Sequence, residues 1–339
     1  MLYLEAYMRL TLFILLSFNL LFSCGEQQVE TRGVNRDPVL NPKKQETNPN
    51  LNIRPKPDKE EKPEGSGKVS TSFSIGDESS VDKKNSQYLL SIKVAKDFMK
   101  AQDIEEETFY KTGSVIMRNE TGNDLKKLVY FSSSESFPSL GINHFIWICP
   151  DHPKYSSFGS SFTKLLYFLK DKGFKIPSFI SNFECTWKHR SKSGFQSDST
   201  AQTQAKELHS FLSHTRAAQA VFSFKRFIDA LPKILDGAGS QRSQFESKIK
   251  GVQNSSAGYF PLIDYVNFKG EGVFSLSNTS SYGLFQVLQE MKSSGDPLSE
   301  FADSAIRTLK NRRSATDWNK FGVGWSNRLN RYKTLSVYY

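Results

Sequence analysis

The chain has 339 residues, with 45 Lys and Arg against 35 Asp and Glu, a formal net charge of +10, and only 3 cysteines and 5 histidines. That length supports one large core or two lobes, and the positive balance favours polyanionic partners such as wall polymers, phospholipid head groups or glycans. The cysteines and histidines do not fall at zinc-finger spacing and no nucleic-acid recognition motif is present, so the sequence implies no metal, no cofactor and no nucleic acid.

In chain order, the first element is an apolar run of roughly fifteen residues, "LTLFILLSFNLLFSC", preceded by Arg9; it is short for a transmembrane helix and suits an export signal. It ends in Leu21-Phe22-Ser23-Cys24, which resembles a bacterial lipobox with Cys24 as the lipidated residue. A plain secretion signal and a protein anchor are the alternatives. Met8 is an alternative start to Met1, because Glu5 is out of place ahead of a signal's basic region. The resemblance implies an exported protein, lipid-anchored to a bacterial membrane and facing the periplasm or the exterior. Each buried CH₂ of such an anchor contributes about 0.8 kcal/mol.

Past Cys24 the composition shifts to Asn, Pro, Lys, Glu and Ser, as in "NPKKQETNPNLNIRPKPDKEEKPEGSGK". Too little apolar surface is present there to offset the entropy of ordering. The expected organisation is therefore a signal peptide over 1–24, a disordered tether over 25–84 and a globular domain over 85–339.

Within the body, "SQYLLSIKVAKDFMKAQD" has helical apolar spacing, and a second helix is expected over 105–118, with an acidic start and Gly122 as its left-handed stop. "KLVYF" and "LGINHFIWI" read as two strands joined across "SSSESFPS". Further helices are expected at about 159–172, 203–236 and 240–254. The stretch "LHSFLSHTRAAQAVFSFKRFIDALPKIL" is the longest amphipathic pattern and the expected central core helix. The order predicts an α+β fold, mainly helical, with a small antiparallel sheet. Cys149 and Cys185 bracket a helical stretch and form a possible disulfide, or remain two free thiols.

A glutamate at a helix end, a short polar hairpin, and then Gly141-Ile142-Asn143-His144 closing the sheet resemble the phage-type lysozymes, glycoside hydrolase family 24. Those enzymes follow a catalytic glutamate with a second acid in the hairpin, a hydroxyl residue and "T-I-G-I-G-H". The matching positions here are Glu120, Glu135, Ser139 and Gly141–His144, and "YFPLIDYVNFKGEGV" and "GWSNRLNRYKT" resemble the family's last helices. The chain is also similar to a group of exported bacterial proteins that read N-E-x-G-G, S-L-G-I-G-H-F-I-W and D-Y-V-N-F-K-G-E-G. Asn123 and Asn143 stand where that group has glycine, so each places a side chain in a tight spot.

The resemblance implies a lysozyme-like domain acting on peptidoglycan glycan strands as a muramidase or lytic transglycosylase, in cell-wall remodelling. Cleaving a glycosidic bond needs a proton for the leaving oxygen, and in inverting enzymes a second carboxylate about 6.5–9.5 Å away activates water. Glu120 is the candidate acid, with apolar burial expected to keep it protonated. Glu135 with Ser139, or alternatively Glu271, is the candidate base; lytic transglycosylases dispense with one. His144, Asn267, Asp264, Arg328 and Arg331 are candidate substrate-side residues, the alternatives being a structural histidine for His144, helix caps for Asn267 and Asp264 and a solvated face for the arginines, and Trp147, Trp187, Trp318 and Trp325 divide between sugar stacking and core packing. The competing readings are a glycan-binding lipoprotein that retains the fold without cleaving, and a structural surface protein.

Overall fold

The computed structural model describes residues 73–155, 159–273 and 281–336. The signal segment, Cys24 and the tether up to residue 72 lie outside the described residues.

The body is α+β and mainly helical. Its helices are α1 (Ser86–Gln102), α2 (Glu106–Thr121), α3 (Ser161–Asp171), α4 (Lys192–Ser197), α5 (Ser199–His214), α6 (Arg216–Gly237), α7 (Arg242–Gln253), α8 (Phe260–Lys269), α9 (Leu284–Glu290), α10 (Pro297–Arg312) and α11 (Ala315–Asn330). Three short strands, β1 (Val129–Phe131), β2 (Pro138–Leu140) and β3 (Phe145–Ile146), form an antiparallel sheet in sequence order.

The body begins ahead of the expected boundary at residue 85. Ile75 is 1% exposed and lies against Gly113 of α2, where an added Cβ would come within 2.7 Å of it. The Ser114 hydroxyl donates to the Ser74 carbonyl and Tyr88 to Glu78, so apolar burial and hydrogen bonds tie 73–84 to the helices. Composition alone placed these residues in the tether, because one isoleucine in a polar run carries little signal.

The expected helix over 203–236 is two helices. The apolar pattern runs on, but Thr215 leaves the helical region (φ −106°, ψ 14°) and separates α5 from α6. The Leu212 carbonyl accepts from the Thr215 amide at 3.3 Å and also from the buried side chain of Gln219, whose Nε2 donates to it and to the Thr215 hydroxyl. α6 is the central helix: Ala218, Ala220, Phe224, Phe227, Ala230 and Ile234 are fully buried, and α1, α3, α7 and α8 pack around it.

"LGINHFIWI" is likewise two strands and not one. Residues 141–144 turn between β2 and β3, with Gly141 (φ 74°) and His144 (φ 45°) in the left-handed region. A Cβ at Gly141 would lie 2.3 Å from Gln219 Oε1, which accepts from the Ile142 amide at 2.9 Å. Glycine is required there both for backbone conformation and for the close approach of α6.

Cys149 and Cys185 are disulfide-bonded across 36 residues, joining the end of β3 to the loop carrying Trp187. Trp147 and Trp187 pack edge to face at 4.9 Å and are 1% and 3% exposed, so both belong to the core and neither is free to stack on a sugar. Closing a loop of this length restricts the unfolded chain by about 4 kcal/mol. Replacing both cysteines with serine is expected to lower the thermal midpoint by several degrees; an unchanged midpoint would show that the bridge restricts little.

Candidate functional site

The site is built where α2 ends. Thr121 turns its hydroxyl back to the Met117 carbonyl, and Gly122 (φ 67°) closes the helix with its amide on Arg118, which puts Glu120 in the last turn. The helix runs three residues beyond its expected end at residue 118. Asn123 (φ 63°) follows in the same left-handed region, which asparagine tolerates. A 3₁₀ turn, Leu125–Leu128, then leads into β1. Two histidines fasten that turn: His209 of α5 bonds the Leu125 carbonyl at 2.9 Å and His144 the Lys127 carbonyl at 3.2 Å.

Arg328, near the end of α11, is the centre of the arrangement. Its Nη2 donates to Glu120 Oε1 at 2.5 Å and to Asp264 Oδ1 at 2.6 Å, while its Nε donates to Asp264 Oδ2 at 2.9 Å. Tyr332 donates its phenol to Asp264 Oδ2 at 2.5 Å. Asp264 is 1% exposed, and Glu120 keeps 15% of its side chain accessible. Burial opposes the charge on Arg328, but the Asp264 and Glu120 carboxylates outweigh it and hold the guanidinium charged. Burial and the Asp264 carboxylate likewise keep the Tyr332 phenol protonated. The expected apolar setting for Glu120 is therefore replaced by an ionic one.

His144 faces the other oxygen, with Nδ1 at 3.8 Å from Glu120 Oε2. Burial lowers its pKa, against the opposing pull of Glu120 and the Lys127 carbonyl, so the ring is neutral near pH 7. A carbonyl only accepts, so the proton sits on Nε2 and Nδ1 presents a lone pair toward Glu120. Tyr130 stacks on the ring at 5.7 Å and fixes its plane.

The hairpin carries the second carboxylate. Ser139 pairs with Tyr130 across β1 and β2 and is 7% exposed. Burial raises the pKa of Glu135; Lys154 opposes that, Glu120 adds to it, and a hydrogen bond with Ser139 lowers it in part. The structure thus brings together Glu120, His144, Arg328 and Asp264, with Glu135 close enough to feel Glu120 and hydrogen-bonded to Ser139. Glu271 and Asn267 have partners of their own: Lys233 of α6 binds both Glu271 oxygens at 2.9 and 3.0 Å, and Arg226 donates to Asn267 Oδ1. The two candidates for the second carboxylate thus differ in setting: Glu135 bonds Ser139 in the hairpin, and Glu271 is paired with Lys233. Asn143 points away from the hairpin face, its Nδ2 donating to Ser223 of α6 at 3.1 Å, and has an ordinary negative φ. Its side chain is spent on the core.

Arg328 and Asp264 each lay in a quoted motif, but their pairing across 64 residues is invisible to local spacing. Among the described residues, no group of three or more His, Cys, Asp and Glu converges as a metal site, and no helix is long and apolar enough to cross a membrane. No family model matches the chain, and no curated protein or solved structure matches it either.

Proposed function

We propose that this chain is an exported, lipid-anchored glycosidase that cuts the glycan strands of peptidoglycan, with Glu120 as general acid. The observation that carries the reading is the placement of Glu120 at a helix end, one oxygen facing the neutral His144, near a hairpin whose Glu135 bonds Ser139.

In this reading Glu120 delivers its proton to the glycosidic oxygen as the C–O bond breaks. The Arg328 guanidinium stabilises the carboxylate left behind, and Asp264 and Tyr332 hold Arg328 in place. With Glu120 protonated, the Asp264–Arg328–Glu120 group is neutral; after proton transfer it carries one negative charge, which favours the positive oxocarbenium-like centre. Glu135, with Ser139 beside it, takes a proton from the attacking water on the opposite side. The lipobox-like segment and the polar stretch after it support a membrane-anchored body reaching the wall.

The rival reading is a body that binds wall glycan without cutting it; the ion pair already occupying Glu120 Oε1 favours it. One comparison separates them. Glu120→Gln keeps the shape and removes the acid, so dye release from labelled peptidoglycan is expected to fall at least about 10²-fold against the parent chain. Release from neither protein, with both sedimenting with the wall, would replace the enzyme by the binder.

A further inference from the structure

The two oxygens of Glu120 meet opposite chemistry. Oε1 accepts from Arg328 Nη2, so a donor already faces it. Oε2 faces His144 Nδ1 at 3.8 Å, too far for a hydrogen bond, so the ring leaves that oxygen unbonded. What the ring turns toward Oε2 is decided on its far side. Nε2 lies 3.2 Å from the Lys127 carbonyl, which can only accept. In the neutral ring Nε2 therefore carries the hydrogen and Nδ1 the lone pair.

The ring has little freedom to change this. His144 sits in the left-handed region at φ 45°, and its amide donates to the Gly141 carbonyl at 3.3 Å. Gln219 of α6 pins the same turn through the Ile142 amide, and Tyr130 stacks on the imidazole with the planes 8° apart.

We infer that the transferable proton of Glu120 sits on Oε2 and that His144 is the positioning residue that keeps it there. This rests on the glycan-cutting reading and names the oxygen that acts in it. A proton on Oε1 would set donor against donor at the Arg328 N–H, whereas a proton on Oε2 points toward a lone pair. In the reaction the proton passes from Oε2 to the glycosidic oxygen, and the electrons of the breaking C–O bond stay with that oxygen. Glu120 is left as a carboxylate held by Arg328 through Oε1.

Protonation of the ring reverses the arrangement. Burial lowers the His144 pKa below the ordinary 6.5; Glu120 and the Lys127 carbonyl oppose this, and the charges of Lys127 and Arg328 add to it. The groups facing the ring are thus Glu120 of α2, Lys127 of the 3₁₀ turn, Tyr130 of β1 and Arg328 of α11. Below that lowered pKa Nδ1 gains a hydrogen, offers Oε2 a donor and favours the carboxylate over the acid. Activity is then expected to fall as pH drops through the His144 transition.

Two measurements on the full chain test this. The first needs no activity: ¹⁵N NMR of the histidine rings at pH 7, with His144 assigned by its loss in His144→Asn. A hydrogen on Nε2 and a bare Nδ1 are expected, and Glu120→Gln should lower the His144 transition further, because the carboxylate that favours the imidazolium is gone. A hydrogen on Nδ1 at pH 7 would overturn the inference, and so would a transition that Glu120→Gln leaves in place.

The second is the pH profile of dye release from labelled peptidoglycan. Asparagine tolerates the left-handed backbone, so His144→Asn is expected to fold, to lower kcat about tenfold with KM little changed, and to remove one protonation from the acid limb. The protonation of Glu135 on that limb should remain. An unaltered kcat and profile in folded His144→Asn would overturn the inference and leave the enzyme standing. Absence of release from the parent would end the glycan-cutting reading, while the tautomer and its coupling to Glu120 still decide which oxygen bears the proton.

Discussion

Asp264→Ala is expected to destabilise the body by about 3–5 kcal/mol, the range for removing one partner of a buried ion pair. Asp264 is 1% exposed and receives two bonds from Arg328 and one from Tyr332. The substitution leaves the buried Arg328 with Glu120 as its remaining carboxylate and a buried phenol without its acceptor. Glu120→Gln is expected to cost far less, because its side chain is 15% exposed and an amide oxygen still accepts from Arg328. Urea denaturation of the three proteins checks this: the Asp264 variant should show a much lower midpoint at an unchanged slope. Equal midpoints for the two variants would mean that Asp264 does not organise the site.

The second large effect has the opposite sign. Lys269→Met is expected to stabilise the protein at and below pH 7, because the native state holds this ammonium in a desolvated, like-charged setting. In the folded chain its proton leaves near pH 7, whereas in the unfolded chain it stays until about 10.4. Between those values the unfolded state binds more protons, so the parent gains stability as pH rises; below pH 7 both states are protonated and the penalty is complete. A shift of this size corresponds to at most roughly 5 kcal/mol. The difference between parent and variant should therefore be largest at pH 6 and shrink toward pH 10. Parallel stability profiles would contradict it.

Much of the scaffold was legible because its signals are local. The acidic start of α2 and Gly122 behind Glu120 bound that helix, and the polar stretch after Phe131 marked the hairpin. The breaks were harder. Thr215 interrupts an apolar pattern that continues in both directions, and what makes the break tolerable is Gln219, a polar residue buried on the next helix. The turn at 141–144 depends on that same glutamine, which approaches only in the folded chain. Glu120, Glu135 and Ser139 were singled out through the resemblance of their stretch to the phage-type lysozymes. Their ionic setting was not, because Arg328 comes from 208 residues away. Lys269 gave no signal at all: its environment is made by Phe268 beside it and by Trp325 on another helix. Asn143 misled in the other direction, since a side chain in place of a glycine hydrogen suggests a filled cleft, and α6 provides Ser223 on the far side to receive it.

The most direct test of the account is digestion of purified peptidoglycan in ¹⁸O-labelled water, with mass analysis of the new chain ends. Acid catalysis by Glu120 with water activated at Glu135 predicts new reducing ends carrying ¹⁸O from the parent chain and none from Glu120→Gln. No new ends from the parent, or equal numbers from both proteins, would contradict it.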